Sequence, residues 1–80
     1  MKEFEIRLRS VQDVQQFVAL ATSRAFTVLV GNDEHHLVNG KSFMEMFSLD
    51  FTRPLTAAAE CSEAEFELLR QEAQRFLVKK

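Results

Sequence analysis

The stretch Asn39-Gly40-Lys41-Ser42-Phe43-Met44-Glu45-Met46-Phe47-Ser48-Leu49 decides how the rest of the chain is read. Asn39-Gly40 is a turn signal. Ser42 followed three residues later by Glu45 is a capping box, in which the serine hydroxyl accepts a backbone N–H of the first turn while the glutamate reaches back to the cap. A short helix is therefore predicted over Ser42 to Leu49. Phe43, Met44, Met46, Phe47 and Leu49 point in too many directions around a helix to form one buried stripe, so some of them must face outward.

Working towards the amino terminus, His35-His36-Leu37-Val38 reads as a strand that returns antiparallel from Phe26-Thr27-Val28-Leu29-Val30, a β-branched and apolar run. Gly31-Asn32-Asp33-Glu34 between them supplies turn residues. Before that, Val11, Val14, Phe17, Val18 and Ala21 recur at helical spacing behind an N-cap at Ser10, with Asp13 three positions on. Phe4, Ile6 and Leu8 alternate with Glu5, Arg7 and Arg9, the period of a strand with one buried face.

Towards the carboxyl terminus, Pro54 cannot continue a helix. Leu55-Thr56-Ala57-Ala58-Ala59-Glu60 is too short to be a stable helix despite its alanines, so it is read as a strand that lets a helix pack closely across it. A second capping box, Ser62 with Glu65, opens a final helix whose apolar stripe is Phe66, Leu69, Ala73, Phe76 and Leu77. Glu63 and Glu65 at its start and Lys79 and Lys80 at its end would complement the helix dipole. The order is β-α-β-β-α-β-α, for which the economical arrangement is an α+β fold with a four-stranded antiparallel sheet and three helices on one face.

Eighty residues make a single domain, 1–80, which excludes a multi-domain enzyme. A net charge of −2 with interspersed signs offers no basic patch for phosphate backbones, so nucleic-acid binding is disfavoured. No run approaches the ~18 apolar residues of a membrane span. The start Met-Lys-Glu-Phe-Glu does not read as a secretory signal, and a cytoplasmic protein is expected. Cys61 cannot form an internal disulfide or hold zinc alone. It could titrate low beside the Ser62 helix start, but without a base or second cysteine it is expected to be inert.

With this order in hand, Gly40-Lys41-Ser42, the Met- and Phe-rich short helix, Ser48-Leu49, the strand Leu55 to Glu60 and the terminal helix from Ser62 resemble HPr, the phosphocarrier of the bacterial phosphoenolpyruvate-dependent sugar phosphotransferase system, and its relative Crh. The resemblance covers most of the chain and implies the HPr-like open-faced β-sandwich. It also implies a place for a phosphoryl-carrying histidine at the start of the first helix, in a Gly-x-His-x-Arg-Pro motif. Anchoring on Gln16-Phe17-Val18 puts Ser10 at the histidine, Gln12 at the arginine and Asp13 at the proline. A serine hydroxyl without an activating base is no substitute for the imidazole, and Asp13 would repel a phosphate.

The resemblance further implies a regulatory phosphorylation site at Ser42, against the plainer reading of an N-cap. It implies a partner-docking patch at Phe43, Met44 and Phe47, against their partial burial. The expectation is a non-catalytic, regulatory or protein-binding module that uses the Ser42–Leu49 helix and needs no cofactor or metal. Two alternatives are a working phosphocarrier with His35 or His36 as acceptor, and a homo-oligomer that self-associates through the same helix. Adjacent on a strand, the two histidines would face opposite ways and could not share a metal ion. The carboxylates Asp33-Glu34 and Glu63-Glu65-Glu67 read as solvated surface rather than an acid–base pair.

Overall fold

The computed structural model describes residues 2–33 and 35–78. The elements run in the expected order: β1 (Lys2–Ile6), α1 (Val11–Thr22), β2 (Val28–Asp33), β3 (His36–Asn39), α2 (Phe43–Met46), β4 (Leu55–Ala59), α3 (Glu63–Glu72) and a 3₁₀ turn (Gln74–Phe76). All strand pairs are antiparallel, in the order β1-β4-β2-β3, and the three helices cover one face of the sheet. This is the α+β open-faced sandwich that the sequence implies.

The alanine segment is the middle of the sheet. β4 pairs with β1 through Phe4↔Ala57 and with β2 through Val30↔Ala57, and all three alanines are buried. Ala57 and Ala59 join Ile6, Val28, Val30 and Val38 beneath the helices, where Val14, Phe17, Met46, Leu69 and Phe76 close the core. Methyl-sized side chains on the central strand let the ring of Phe17 approach the sheet and meet Phe76 edge-on at 6.0 Å.

Several boundaries differ from the sequence reading. β2 continues through Gly31-Asn32-Asp33, which reads as a turn, and the hairpin with β3 carries a register irregularity between Gly31 and Asp33. Gly31 permits this, because a Cβ there would run into the backbone carbonyl oxygen of His36. Glu34, assigned to the same turn, lies outside the described residues. His35 therefore sits in the turn and only His36 enters β3. β1 ends at Ile6, although Leu8 remains fully buried.

The last helix is shorter than its stripe. α3 stops at Glu72, and the chain turns so that Leu77 bridges Ile6, with Arg7 N–H donating to the Phe76 carbonyl at 2.7 Å and Val78 N–H to that of Glu5 at 3.2 Å. The otherwise free edge of β1 captures the tail in place of another helical turn. Lys79 and Lys80, assigned to the helix end, lie outside the described residues.

Candidate functional site

α2 is a single turn rather than the helix from Ser42 to Leu49 that the sequence suggests. After Met46 the backbone tightens, with Ser48 N–H donating to Glu45 and Leu49 N–H to Met46, while the Ser48 hydroxyl also donates to the Glu45 carbonyl at 2.8 Å. A serine that offers the backbone an alternative partner ends the helix here.

Only half of the capping box at Ser42 forms. The Ser42 hydroxyl accepts Glu45 N–H at 3.3 Å, but the Glu45 carboxylate turns to the N–H of Asn39 at 3.4 Å. Lys41 Nζ donates to the carbonyl of Arg24 at 2.7 Å, so its ammonium is tied to the chain just beyond α1. Ser42 is thus an N-cap with a carboxylate in its first turn and its neighbouring lysine committed elsewhere. The capping box at Ser62, by contrast, is complete: Ser62 N–H donates to Glu65 at 3.0 Å, and Glu65 N–H to the hydroxyl at 3.2 Å. Donation to the Glu65 carboxyl from the Ser62 backbone N–H first, and from its side chain second, holds that carboxyl below the usual range.

The docking candidates divide. Met46 is buried and Phe43 packs on the core from the side, whereas Met44 is 84% exposed and Phe47 46%. Phe43, Phe47 and Phe51 form an edge-on ladder with centroids 4.7 and 6.1 Å apart. Spaced four residues apart, they stay on one side as the chain unwinds. Val11, a member of the first helical stripe on sequence, is 57% exposed and faces this ladder across a groove of ≈ 250 Å³ lined by Arg9, Ser10, Val11, Val14, Phe47 and Phe51. The sequence reading missed that Val11 is exposed and that the half-buried Phe51 lines the groove. The Phe43, Phe47, Phe51 spacing was the available signal for the latter.

At the rim of the groove, Ser10 caps α1: its hydroxyl accepts Asp13 N–H at 3.1 Å, and Asp13 returns a carboxylate oxygen to Arg9 N–H at 3.0 Å. Ser10 and Asp13 therefore close a local ring of hydrogen bonds. His35 in the β2–β3 turn and His36 at the start of β3 are both exposed and do not line the groove. Burial, followed by the charge of Glu65, pushes the Cys61 thiol up rather than down. Among the described residues, no three His, Cys, Asp or Glu side chains cluster as metal ligands, and no helix is long and apolar enough to cross a membrane.

This architecture, a four-stranded antiparallel sheet with three helices on one face, is an HPr-like fold. Among solved structures, the chain is similar to HPr-C-His from Thermoanaerobacter tengcongensis, at TM-score 0.72 and 23% identity over 92% of each chain. No family model matches the chain, and no curated protein matches it either.

Proposed function

We propose that the protein is a binding module of HPr-like type that does not carry phosphate on histidine and is not an enzyme. The groove formed by Val11, Val14, Phe47 and Phe51 carries this reading. Aromatic and aliphatic side chains in one concave patch, with the exposed Met44 on the same short helix as the Phe43–Phe47 pair, suit an adaptable protein contact. Arg9 is the charged residue that lines the groove, so the fitting occupant is a partner protein that offers an apolar face bordered by a carboxylate.

The hydroxyl of Ser10 lies where the resemblance expects the phosphoryl acceptor, and it is engaged as an N-cap beside the Asp13 carboxylate. That surrounding favours neither nucleophilic attack nor an arriving dianion. Ser42 in this reading holds α2 in place as its cap. Self-association through the same patch is the competing use of the surface.

Met44→Ser and Phe47→Ser change only exposed side chains, so they test docking without dismantling the core. Both variants should lose the proteins that the unmodified protein captures from native lysate, while Leu68→Ser, an exposed site on α3, should retain them. Retention of the same proteins by all three variants contradicts the proposal. Sedimentation at rising concentration would reveal a dimer and reassign the patch.

A further inference from the structure

The helices cover one face of the sheet and leave the other bare. Packing of Val28, Val30, Ala57 and Ala59 beneath the helices turns the alternate residues of each strand to that bare face. Two rows cross it from β1 through β4 and β2 to β3: Glu5, Thr56, Gly31 and Leu37 in one, Glu3, Ala58, Leu29 and Asn39 in the other. Glu3, Thr56 and Leu37, with Asp33 and His35, line a trough of ≈ 720 Å³ there. We propose that this face docks a basic amphipathic helix of a partner protein.

The shape fits one helix. Gly31 and Ala58 keep the floor low on the two central strands, while Glu3 and Glu5 stand along β1 and Leu37 along β3. The outer strands lie three strand spacings apart, about 14 Å, against the ~10–12 Å diameter of a helix with its side chains. On the covered face, small residues of β4 let Phe17 come close; on the bare face Ala58 and Gly31 leave the same room for a leucine-sized side chain. The half-buried Leu29 and the 36% exposed Leu37 supply apolar contact beside them.

Charge sets the sign of the partner. Glu3, Glu5 and Asp33 are exposed, and among the described residues none of them is in an ion pair. Lys2 turns to the covered face, where it meets Glu63 of α3 at 3.8 Å, and Arg7 donates to the Thr52 carbonyl at 3.0 Å. Asp33 accepts His35 N–H on one oxygen at 2.8 Å and has the other to offer. A second copy presenting this face would add three more carboxylates and no lysine or arginine, so its approach is repelled. A leucine stripe flanked by lysine or arginine complements both the apolar centre and the acidic rim. The trough shares no residue with the groove lined by Val11, Phe47 and Phe51.

The test is an amide chemical-shift titration of the ¹⁵N-labelled full chain with two synthetic helical peptides of identical leucine spacing, one carrying lysine at its polar positions and one glutamate. The Lys/Leu peptide should give saturable shifts at Glu3, Leu29, Leu37 and Ala58 and none at Val11 or Phe47, with binding that weakens as salt is raised. The Glu/Leu peptide should give none.

Glu3→Gln and Glu5→Gln together should weaken binding of the Lys/Leu peptide about tenfold, the scale of two exposed ion pairs. Leu37→Ser should weaken it as well. Glu67→Gln, which removes an exposed carboxylate of α3, and Phe47→Ser in the groove should leave it unchanged. Shifts confined to the groove, equal binding of the two peptides, or equal loss in Glu67→Gln and in the sheet variant overturns the assignment. So does absence of saturable shifts at millimolar peptide. Sheet-face shifts that follow protein concentration without peptide would put a second copy on the face and overturn it too.

Discussion

The side-chain amide of Asn32 clasps the backbone of Asp50 from both sides: its nitrogen donates to the Asp50 carbonyl at 2.9 Å, and its oxygen accepts Asp50 N–H at 2.8 Å. The clasp fastens the segment after α2, which carries Phe47 and Phe51, to the second strand. Asn32→Ala should therefore lower unfolding free energy by about 1–2 kcal/mol, the worth of two hydrogen bonds. Asn32→Asp keeps an acceptor, loses the donor and should fall between. Urea denaturation of the three proteins checks the ranking, and a neutral Asn32→Ala would mean that the loop is held by its aromatic contacts alone.

Gly31 is the least replaceable glycine. Its Cβ would collide with the His36 carbonyl oxygen and meet the side chain of Leu37 at 2.8 Å, so the β2–β3 hairpin must open to admit it. At Gly40 the nearest atoms, on Val28 and Val30, lie at 3.1 Å, and small shifts suffice. Gly31→Ala should cost at least about 2 kcal/mol, the scale of overpacked sites, and Gly40→Ala less. Thermal unfolding of the pair should preserve that order.

Stability should fall on acidification, through two carboxylates. The Thr52 hydroxyl, then its backbone N–H and the Arg53 charge, hold Asp50 below its ordinary value, and Ser62 does the same for Glu65. A group with a depressed folded-state pKa contributes stability that is present above its unfolded value and lost as pH falls through its folded one. The urea midpoint should therefore decline as pH drops from the ordinary carboxylate range, near 4, towards the lower folded-state values. Asp50→Asn should flatten that decline, and an equally steep decline in the variant would remove Asp50 from the explanation.

The core ring of Phe17 should be indispensable. It is fully buried and edge-on to Phe76, which itself anchors the tail along β1. Phe17→Ala removes about 3–5 kcal/mol, which consumes most of the stability of a domain this small. Circular dichroism at room temperature should show a largely unfolded variant, whereas Phe47→Ser should remain folded.

The sheet and its helices were legible because each apolar stripe had one period and one neighbour to cover it. Even the alanines of β4 yielded, since flanking Pro54 and Ser62 left no room for a helix. Gly31-Asn32-Asp33 misled because its turn chemistry serves a bulged strand: the glycine admits the His36 carbonyl, and the asparagine holds Asp50 rather than the local backbone. The stripe through Leu77 misled because Leu77 packs against the core whether the backbone beneath it is helical or pairs with Ile6. Around α2, Met44 and Phe47 stood out as apolar excess on a short helix, but the role of Val11 depends on which side of α1 the sheet covers.

The most direct measurement is intact and fragment mass spectrometry of the purified protein after incubation with the general phosphotransferase enzyme and phosphoenolpyruvate. The expected result is the unmodified mass, with Ser10, His35 and His36 all free of phosphate. A phosphoryl group on His35 or His36 would contradict the account, showing a working phosphocarrier with an acceptor outside the groove.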